Sequence, residues 1–386
     1  MISVIDKRVS TLSNSKYWLV SADMGYGHQR AIYPLRRLAY NNEIINANTT
    51  PFAKPSERRL WKKMLRWYEF LSRAGKTPFV GVLFTRILDS LLHIPKYYPL
   101  RDQSESTTQV KFLKRSINKG LCQGLVTQIS NPTLPLITSF YSSAIAADTV
   151  GHPLVYCIIC DTDINRVWVA EDPQKSNITY FAPNGTSARR LLSYGVPTSR
   201  VQLSGFPLPI ELLGDRSLDV LKKNLGRRLN RLDPMHRFHS LFHHSVKAFL
   251  GRTYIETFDD KCITLTYAVG GAGAQKEIAE KIAISLKKKI LLGNVKLNLV
   301  AGTRTEVRDY FNSIKSKILL DSENVKIIYA ETNLEYFDDF NQILHTTDVL
   351  WTKPSELSFY CALGIPIIMS PAIGPQEKFN RRWLRE

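Results

Sequence analysis

The feature that most constrains the fold is an alternation of apolar and amphipathic segments between Ile263 and Met369. Short apolar runs such as Ile263–Val269 predict strands that are buried on both faces of a sheet. The longer stretches between them repeat apolar residues at helical spacing. This alternation predicts a parallel sheet covered by helices on both faces. The predicted strands are Ile263–Val269, Val295–Ala301, Val325–Tyr329, Val349–Thr352 and Pro366–Met369, and the predicted helices are Gln275–Lys289, Glu306–Leu319, Glu335–His345 and Glu356–Leu363.

The first half of the chain shows a looser version of the same pattern, and 386 residues exceed what one core usually supports. We therefore predict an α/β protein with two doubly wound Rossmann-like domains that face a cleft. The expected domains are residues 1–207 and 262–386, joined by a basic, His-rich insertion over 208–261 that should be helical and exposed. The last helix begins at Gln376, where such a domain normally continues, so we expect the C-terminal end to be incomplete. The strands predicted in the first half are Lys16–Ser21, Leu134–Ser139, Pro153–Cys160 and Ile178–Ala182.

The charge balance narrows the range of partners. There are 52 Lys and Arg residues against 34 Asp and Glu, a formal charge of +18. Such a charge suits nucleic acid, an anionic membrane surface or phosphorylated substrates. The chain lacks a nucleic-acid-binding motif, and we expect no such partner. It also lacks an apolar run long enough to span a membrane and an apolar signal core, and its five cysteines indicate a reducing compartment.

The first strand leads into a glycine-containing turn that ends at His28. Gly25 and Gly27 allow a tight turn and a close approach of a ligand to the backbone. His28 would then lie at the carboxyl end of a parallel strand, where ligands bind in such sheets. A neutral imidazole there can accept a proton from a hydroxyl group, and Asp163 could assist it. A plain strand-to-helix turn with a capping histidine would leave the same pattern.

Three further motifs in the last third of the chain could bind a nucleotide sugar. A glycine-rich turn after a strand exposes N–H groups to a phosphate, although a purely structural turn is an equal alternative. A Lys-Pro-Ser-Glu segment could hold a diphosphate and a ribose, although Glu356 could simply cap its helix. A last polar loop could bind sugar hydroxyls. The residues are Gly270, Gly271 and Gly273 in the turn; Lys353, Ser355 and Glu356 in the second motif; and Gln376, Glu377 and Asn380 in the loop, with Arg304 as an additional cation.

In this order the motifs resemble those of the GT-B glycosyltransferases, most of all monogalactosyldiacylglycerol synthases and processive diacylglycerol glucosyltransferases. The lipid-linked peptidoglycan N-acetylglucosaminyltransferase is a more distant relative. The matching segments are Met24-Gly-Tyr-Gly-His28, Asp161-Thr-Asp163 with Trp168, Gly195-Val-Pro197, Gly205-Phe-Pro207, Gly270–Gly273, Lys353-Pro-Ser-Glu-Leu-Ser358 and Gly374-Pro-Gln-Glu377 with Asn380. The glycine pair that follows Lys-Pro in the family is Ser355-Glu356 here.

The resemblance implies a hexosyltransferase that moves a sugar from a nucleotide diphosphate, commonly UDP, to a lipid hydroxyl such as that of diacylglycerol. It implies that His28 is the acceptor-side base, that Glu356 binds ribose, and that Gln376 and Glu377 contact the donor sugar. No metal or other cofactor is expected. Two alternatives stay open: a truncated or non-catalytic relative that binds nucleotide or membrane, and a sugar-nucleotide epimerase of the same fold.

A basic segment, Lys54–Lys76, carries apolar residues at helical spacing with cations between them. An apolar face that bears Trp61 and Trp67 beside Arg58 and Lys62 suits a helix lying in an anionic membrane surface. We therefore predict a cytoplasmic protein that is peripheral at the inner face of the membrane. A core-packing helix with a solvated basic face is the alternative. Four histidines between His236 and His244 share helical spacing, but no carboxylates or thiols accompany them, and we expect no metal site.

Overall fold

The computed structural model describes residues 16–62, 94, 101–251, 262–271, 273–372 and 375–385. The chain divides into two compact units. The first unit holds the described residues up to Pro207, together with Ser355–Ser358 and the segment from Ala372 onward. The second unit holds Leu208–Pro354 and Phe359–Pro371.

The first unit is built on a parallel sheet of six strands in the order β2-β1-β3-β4-β5-β6. The central strands are the apolar runs that the sequence analysis identified. The edge strands β2 and β6 were not predicted, because an edge strand needs fewer apolar residues and both are partly exposed. The strands are β1 Tyr17–Ser21, β2 Ala39–Asn46, β3 Leu136–Thr138, β4 Val155–Ile158, β5 Ile178–Ala182 and β6 Val201–Leu203.

Helices connect these strands, as a parallel sheet requires. The helix α4, Tyr141–Thr149, is rich in Ala and Ser and is mostly buried, since small side chains let it pack closely against the strands. In chain order the first helices are α1 Tyr26–Ile32, α2 Thr108–Asn118, α3 Gln123–Ile129, α4 Tyr141–Thr149 and α5 Gly185–Ser193, with 3₁₀ turns at Tyr33–Leu38, Arg166–Trp168 and Thr198–Arg200.

The second unit contains a parallel sheet of five strands in the order β11-β10-β7-β8-β9. Its core includes Leu297 and Leu299 on the strand Val295–Gly302 and the rings of Tyr267 and Phe311. With two parallel sheets and their covering helices, the predicted α/β class with Rossmann-like units is confirmed. The strands are β7 Ile263–Ala268, β8 Val295–Gly302, β9 Val325–Tyr329, β10 Val349–Thr352 and β11 Ile367–Met369; the helices, numbered on from α5, are α6 Ile210–Leu213, α7 Asp219–Leu232, α8 Arg237–Leu241, α9 His243–Leu250, α10 Ile278–Leu291, α11 Thr305–Lys317, α12 Asn333–Thr346, α13 Leu357–Ala362 and α14 Pro375–Arg385.

The basic segment after Pro207 is helical, as predicted, but α7 is not an exposed insertion. The buried guanidinium of Arg228 donates to the carbonyl oxygens of Leu344, Thr347 and Leu363, at 2.8–3.1 Å. Two of these residues lie at the C-terminal end of α12 and its cap, where carbonyl groups lack helical partners and favour a cation. The side chain of Arg231 also pairs with the buried Asp348, at 3.1 Å. Arg228 and Arg231 therefore hold α7 against other parts of the second unit, namely the end of α12 and Asp348.

None of the helices in the described ranges combines the length and the hydrophobicity that crossing a bilayer requires.

Candidate functional site

Three neighbouring strands of the first unit, β1, β3 and β4, end at the same edge of the sheet. The chain leaves β1 through Gly25, whose φ of 122° is available to glycine at little cost, and α1 begins at Tyr26. This turn places His28 on α1 beside the ends of the other two strands. The Nδ1 atom of His28 lies 2.9 Å from the carbonyl oxygen of Ser139, which follows β3, and 3.2 Å from Sγ of Cys160, which follows β4. The site is thus assembled from three separate strand ends.

The contact with Ser139 determines how the imidazole of His28 holds its proton. A carbonyl oxygen can only accept a hydrogen bond, so Nδ1 carries the proton and the lone pair lies on Nε2. The hydroxyl of Ser139 donates in turn to the backbone oxygen of His28, at 2.6 Å, so two bonds join α1 to this strand end. Burial lowers the pKa of His28 to about 4, although the bond to Ser139 opposes the shift. At neutral pH the ring is uncharged and can accept a proton through Nε2.

Aromatic rings surround His28. The ring of Phe140 meets it edge to face, with centroids 4.8 Å apart, and the ring of Trp168 lies 6.0 Å away at a tilt of 33°. Behind Phe140 lies Trp61, at 5.8 Å. These rings displace water from the imidazole, which is the physical cause of its lowered pKa.

A second titratable group near the end of β4 is the carboxyl of Asp161, which belongs to the Asp161-Thr-Asp163 segment, although Asp163 was the residue predicted to assist His28. Asp161 follows Cys160 and is half-buried; desolvation, and then the charge of Asp163, raise its pKa to about 7. Such a carboxyl can hold or release a proton near neutral pH. Burial raises the pKa of Cys160 well above its usual value, so its sulfur is a thiol rather than a nucleophilic thiolate.

Asp163, which was predicted to assist His28, makes a two-armed ion pair with Arg190. Its carboxylate oxygens accept from Nε and Nη2 of Arg190 at 2.9 and 2.8 Å, and Oδ1 also accepts from the backbone N–H of Ile164. Both side chains are nearly inaccessible to solvent. A fork of this kind fixes the loop that follows β4 and so holds Asp161 in place.

Glu356, the predicted ribose ligand, belongs to the first unit by its contacts. Its Oε1 accepts from Nε of Arg30, on α1, at 2.6 Å, and the two side chains are 6% and 0% exposed. A Cβ atom at Gly27 would lie 3.9 Å from Cγ of Glu356. Glu356 therefore packs against the helix that carries His28. The sequence offered no signal for Arg30, since an arginine one turn into a helix is ordinarily solvated.

Asn380, predicted to bind the donor sugar, is buried on α14. Its Oδ1 accepts from the hydroxyl of Thr162 at 2.6 Å, and its Nδ2 donates to the backbone oxygen of Ser355 at 3.4 Å. These bonds join α14 to the loop after β4 and to the segment that precedes Glu356. Glu377 is half-buried on the same helix. The side chain of Gln376 lies outside what the structure describes.

The glycine-rich turn of the second unit follows β7, and two cations lie against it. Nε of Arg304, which follows β8, donates to the carbonyl oxygen of Gly271 at 2.8 Å. A Cβ atom at Gly270 would lie 1.9 Å from Cε of Lys353, which follows β10, so the lysine side chain crosses directly over this glycine. Gly273, at a φ of 65°, closes the turn by donating to the oxygen of Gly270 at 2.7 Å.

This edge of the second sheet therefore brings together five of the predicted donor-binding residues. Strands β10, β7 and β8 are neighbours, so their carboxyl ends converge. Helix α10 begins at Ile278, three residues later than predicted, and Gln275 within the intervening turn has a φ of 68°. Cations, rather than the start of α10, supply the positive charge at this turn.

The predicted membrane helix lies only partly within the described residues. The whole part of the segment after Lys62, which includes Trp67, lies outside them. Within them, Lys62 is exposed and Arg58 is half-buried. The prediction that Trp61 faces a membrane is wrong: it is 2% exposed, packs on Phe140 and donates to Glu57. Its large ring fills the core behind His28 instead.

Across the described parts of the chain, no group of three or more His, Cys, Asp or Glu side chains is arranged to hold a metal ion. The histidines of α8 and α9 contact one another, with 3.4 Å between Nε2 of His239 and Nδ1 of His243, and both rings are on the surface side of their helices. The five cysteines are free thiols.

No protein-family model matches this chain, and no curated protein sequence matches it. Among solved structures, a co-structure of S. aureus MnaA with UDP aligns with 13% identity over 73% of each chain, at a TM-score of 0.37. A UDP-GlcNAc 2-epimerase from Methanocaldococcus jannaschii aligns with 14% identity over 79% of this chain and 82% of its own, at 0.34. The M. jannaschii enzyme in complex with UDP-GlcNAc and UDP aligns with 11% identity over 92% and 83%, at 0.37. These values assign neither a family nor a site to the chain.

Proposed function

We propose that this protein is a hexosyltransferase that moves a sugar from a nucleotide diphosphate, UDP in the first instance, to a lipid hydroxyl such as that of diacylglycerol. The observation that carries the proposal is the state of His28. Its ring is neutral, its Nδ1 proton is committed to Ser139, and its Nε2 lone pair is free to take a proton. A general base for an alcohol must be uncharged and must present a lone pair at neutral pH.

The donor would bind at the glycine-rich turn of the second unit. Backbone N–H groups and the cations Arg304 and Lys353 lie there at the ends of three neighbouring strands. Positive charge at this place would stabilise the diphosphate as negative charge accumulates on it. In the first unit, Glu356 would accept hydrogen bonds from the ribose, with Arg30 holding its carboxylate in position.

The reaction proceeds as a single displacement. The acceptor oxygen gives its proton to Nε2 of His28 and forms a bond to the anomeric carbon. The bond between that carbon and the diphosphate oxygen breaks, and the nucleoside diphosphate leaves with the electron pair. The resemblance noted above favours inversion at the anomeric carbon. The association with an anionic membrane surface brings the enzyme to its acceptor.

Purified protein is assayed with UDP-glucose, UDP-galactose or UDP-GlcNAc and vesicles that contain diacylglycerol, and released UDP and glycolipid are measured. We expect His28→Gln to lower the rate by at least about a hundredfold, the usual contribution of a positioned base. The thermal stabilisation by UDP should stay unchanged, which separates chemistry from binding. His152→Gln is the matched control, because His152 is a buried histidine of the first unit that precedes β4 and so lies at the opposite edge of the sheet. Full activity of the His28 variant would refute the proposal.

A sugar-nucleotide epimerase is the second candidate, and Asp161 favours it. A carboxyl group with a pKa of about 7 follows Cys160 in the chain, the sulfur of Cys160 contacts His28, and this carboxyl would provide a second proton-transfer group. Two such groups could invert a carbon centre, with one removing a proton from one face and the other returning a proton to the opposite face. The same assay without a lipid acceptor distinguishes the two functions. A new UDP-sugar epimer indicates the epimerase, whereas UDP release that requires the lipid indicates the transferase.

A further inference from the structure

Two short helices of the second unit, α8 and α9, leave most of their apolar residues in solvent. Helix α8 buries none of its residues, and α9 buries only Val246 and Leu250. Five large apolar side chains on and beside these helices are strongly exposed, and we call them the 235–249 patch. They are Met235, at 71% exposure, Phe238 at 48%, Leu241 at 79%, Phe242 at 48% and Phe249 at 75%.

This exposure is concentrated rather than scattered. Of the four strongly exposed phenylalanines among the described residues, three belong to the patch. The rings of Phe238 and Phe242 lie against each other, with centroids 4.7 Å apart, so the patch has a continuous apolar part. Single exposed apolar residues are normal on a protein surface, whereas a cluster of aromatic ones marks an interaction surface.

The charges around the patch indicate what it contacts. Between Pro234 and Gly251 there is no Asp or Glu, while Arg237 and Lys247 are both exposed and four histidines accompany them. The complementary partner is therefore negatively charged. A second copy of a chain with a net charge of +18 would be repelled.

We propose that the 235–249 patch inserts into the headgroup region of an anionic lipid bilayer. Phenylalanine, leucine and methionine side chains on short helices partition into this region, while neighbouring cations pair with anionic headgroups. The patch belongs to the second unit, and in the sequence it is a different stretch from the basic segment Lys54–Lys76. The proposal rests on the proposed function in one respect, since it names the surface that reaches the anionic membrane, but its test requires neither a donor nor a particular reaction.

The test is sedimentation with vesicles of phosphatidylglycerol mixed into phosphatidylcholine, at low and high salt and without any substrate. Leu241→Ser/Phe249→Ser removes the two most exposed apolar side chains, and we expect its partition to the vesicles to fall by at least about tenfold. Ile284→Ser/Leu292→Ser is the matched control, because these residues of the same unit are 60% and 64% exposed but lie outside the patch. The control should bind as the wild type does.

A further variant, Arg237→Gln/Lys247→Gln, should lose the part of the binding that high salt removes. Unchanged melting temperatures would show that these surface variants are folded. Wild-type binding by the Leu241→Ser/Phe249→Ser variant would overturn the proposal. So would an oligomer of the wild type that this variant converts to monomers, since the patch would then bind a second copy. A lack of glycosyltransfer leaves the vesicle result intact, so the two proposals fail separately.

Discussion

The carboxyl of Asp161 gives the stability of this protein a pH dependence of unusual sign. Its pKa is raised from 3.8 to about 7 in the folded chain, with desolvation as the main cause. Between these values the folded chain holds a proton that the unfolded chain has lost. Stability from this group is therefore full below pH 3.8 and is lost as the pH rises from there towards 7. An ordinary ion-paired carboxylate behaves in the opposite way.

Asp161→Asn removes the titration while it keeps the shape of the side chain. Between pH 5 and pH 7 the wild type loses at most about 3 kcal/mol through this group, at 1.36 kcal/mol for each unit of pH. Because the side chain is half-buried and solvent screens part of the effect, we expect about 1–2 kcal/mol. The difference in unfolding free energy between the asparagine variant and the wild type should therefore shift by about 1–2 kcal/mol in favour of the variant when the pH is raised from 5 to 8.

Urea unfolding at pH 5 and pH 8, followed by tryptophan fluorescence, measures this difference. Asp172→Asn is the control, because Asp172 is exposed and its pKa is lowered, so it titrates below both pH values. If Asp161→Asn changed the unfolding free energy equally at the two pH values, the account of this group as a buried acid would be refuted. If Asp161→Asn lost activity while it became more stable at pH 8, the carboxyl of Asp161 would be a group that lowers stability but is required for function.

Two more variants probe the contacts around the site. Arg30→Met and Glu356→Leu should each lower the free energy of unfolding, measured in urea, by about 3–5 kcal/mol, because each variant keeps one charged partner of a buried pair. The double variant should lose less than the sum of the two, and simple additivity would contradict the pairing. Gly270→Ala places a Cβ atom on the side chain of Lys353, which must move, so titration with UDP should show roughly tenfold weaker binding with little change in melting temperature. Equal UDP affinity in wild type and variant would show that Lys353 does not bind the nucleotide.

The local sequence pattern was sufficient to predict the buried strands and the glycine-containing turns. Val325–Tyr329 and Val349–Thr352 have the bounds that the sequence predicted. A strand buried on both faces must be apolar throughout, and a tight turn must contain glycine, so both leave a signal in a few consecutive residues. Edge strands such as Ala39–Asn46 carry polar residues and escaped prediction. The same pattern, together with parallel topology, placed His28, Gly270 and Lys353 at strand ends.

What the side chains do at those ends was decided by tertiary structure alone. The partners of Glu356 and Asn380 lie 326 and 218 residues away along the chain, and no periodicity connects them. The uncharged state of the His28 ring depends on one carbonyl oxygen and on the rings that exclude water, and the pKa of Asp161 depends on its burial. Trp61 has the spacing of a surface helix, yet it packs into the core. Hydrophobic periodicity indicates which side chains are apolar and which face of an element they share. Desolvation and charge pairing arise only where segments that are distant in the chain come into contact, so the sequence pattern does not predict them.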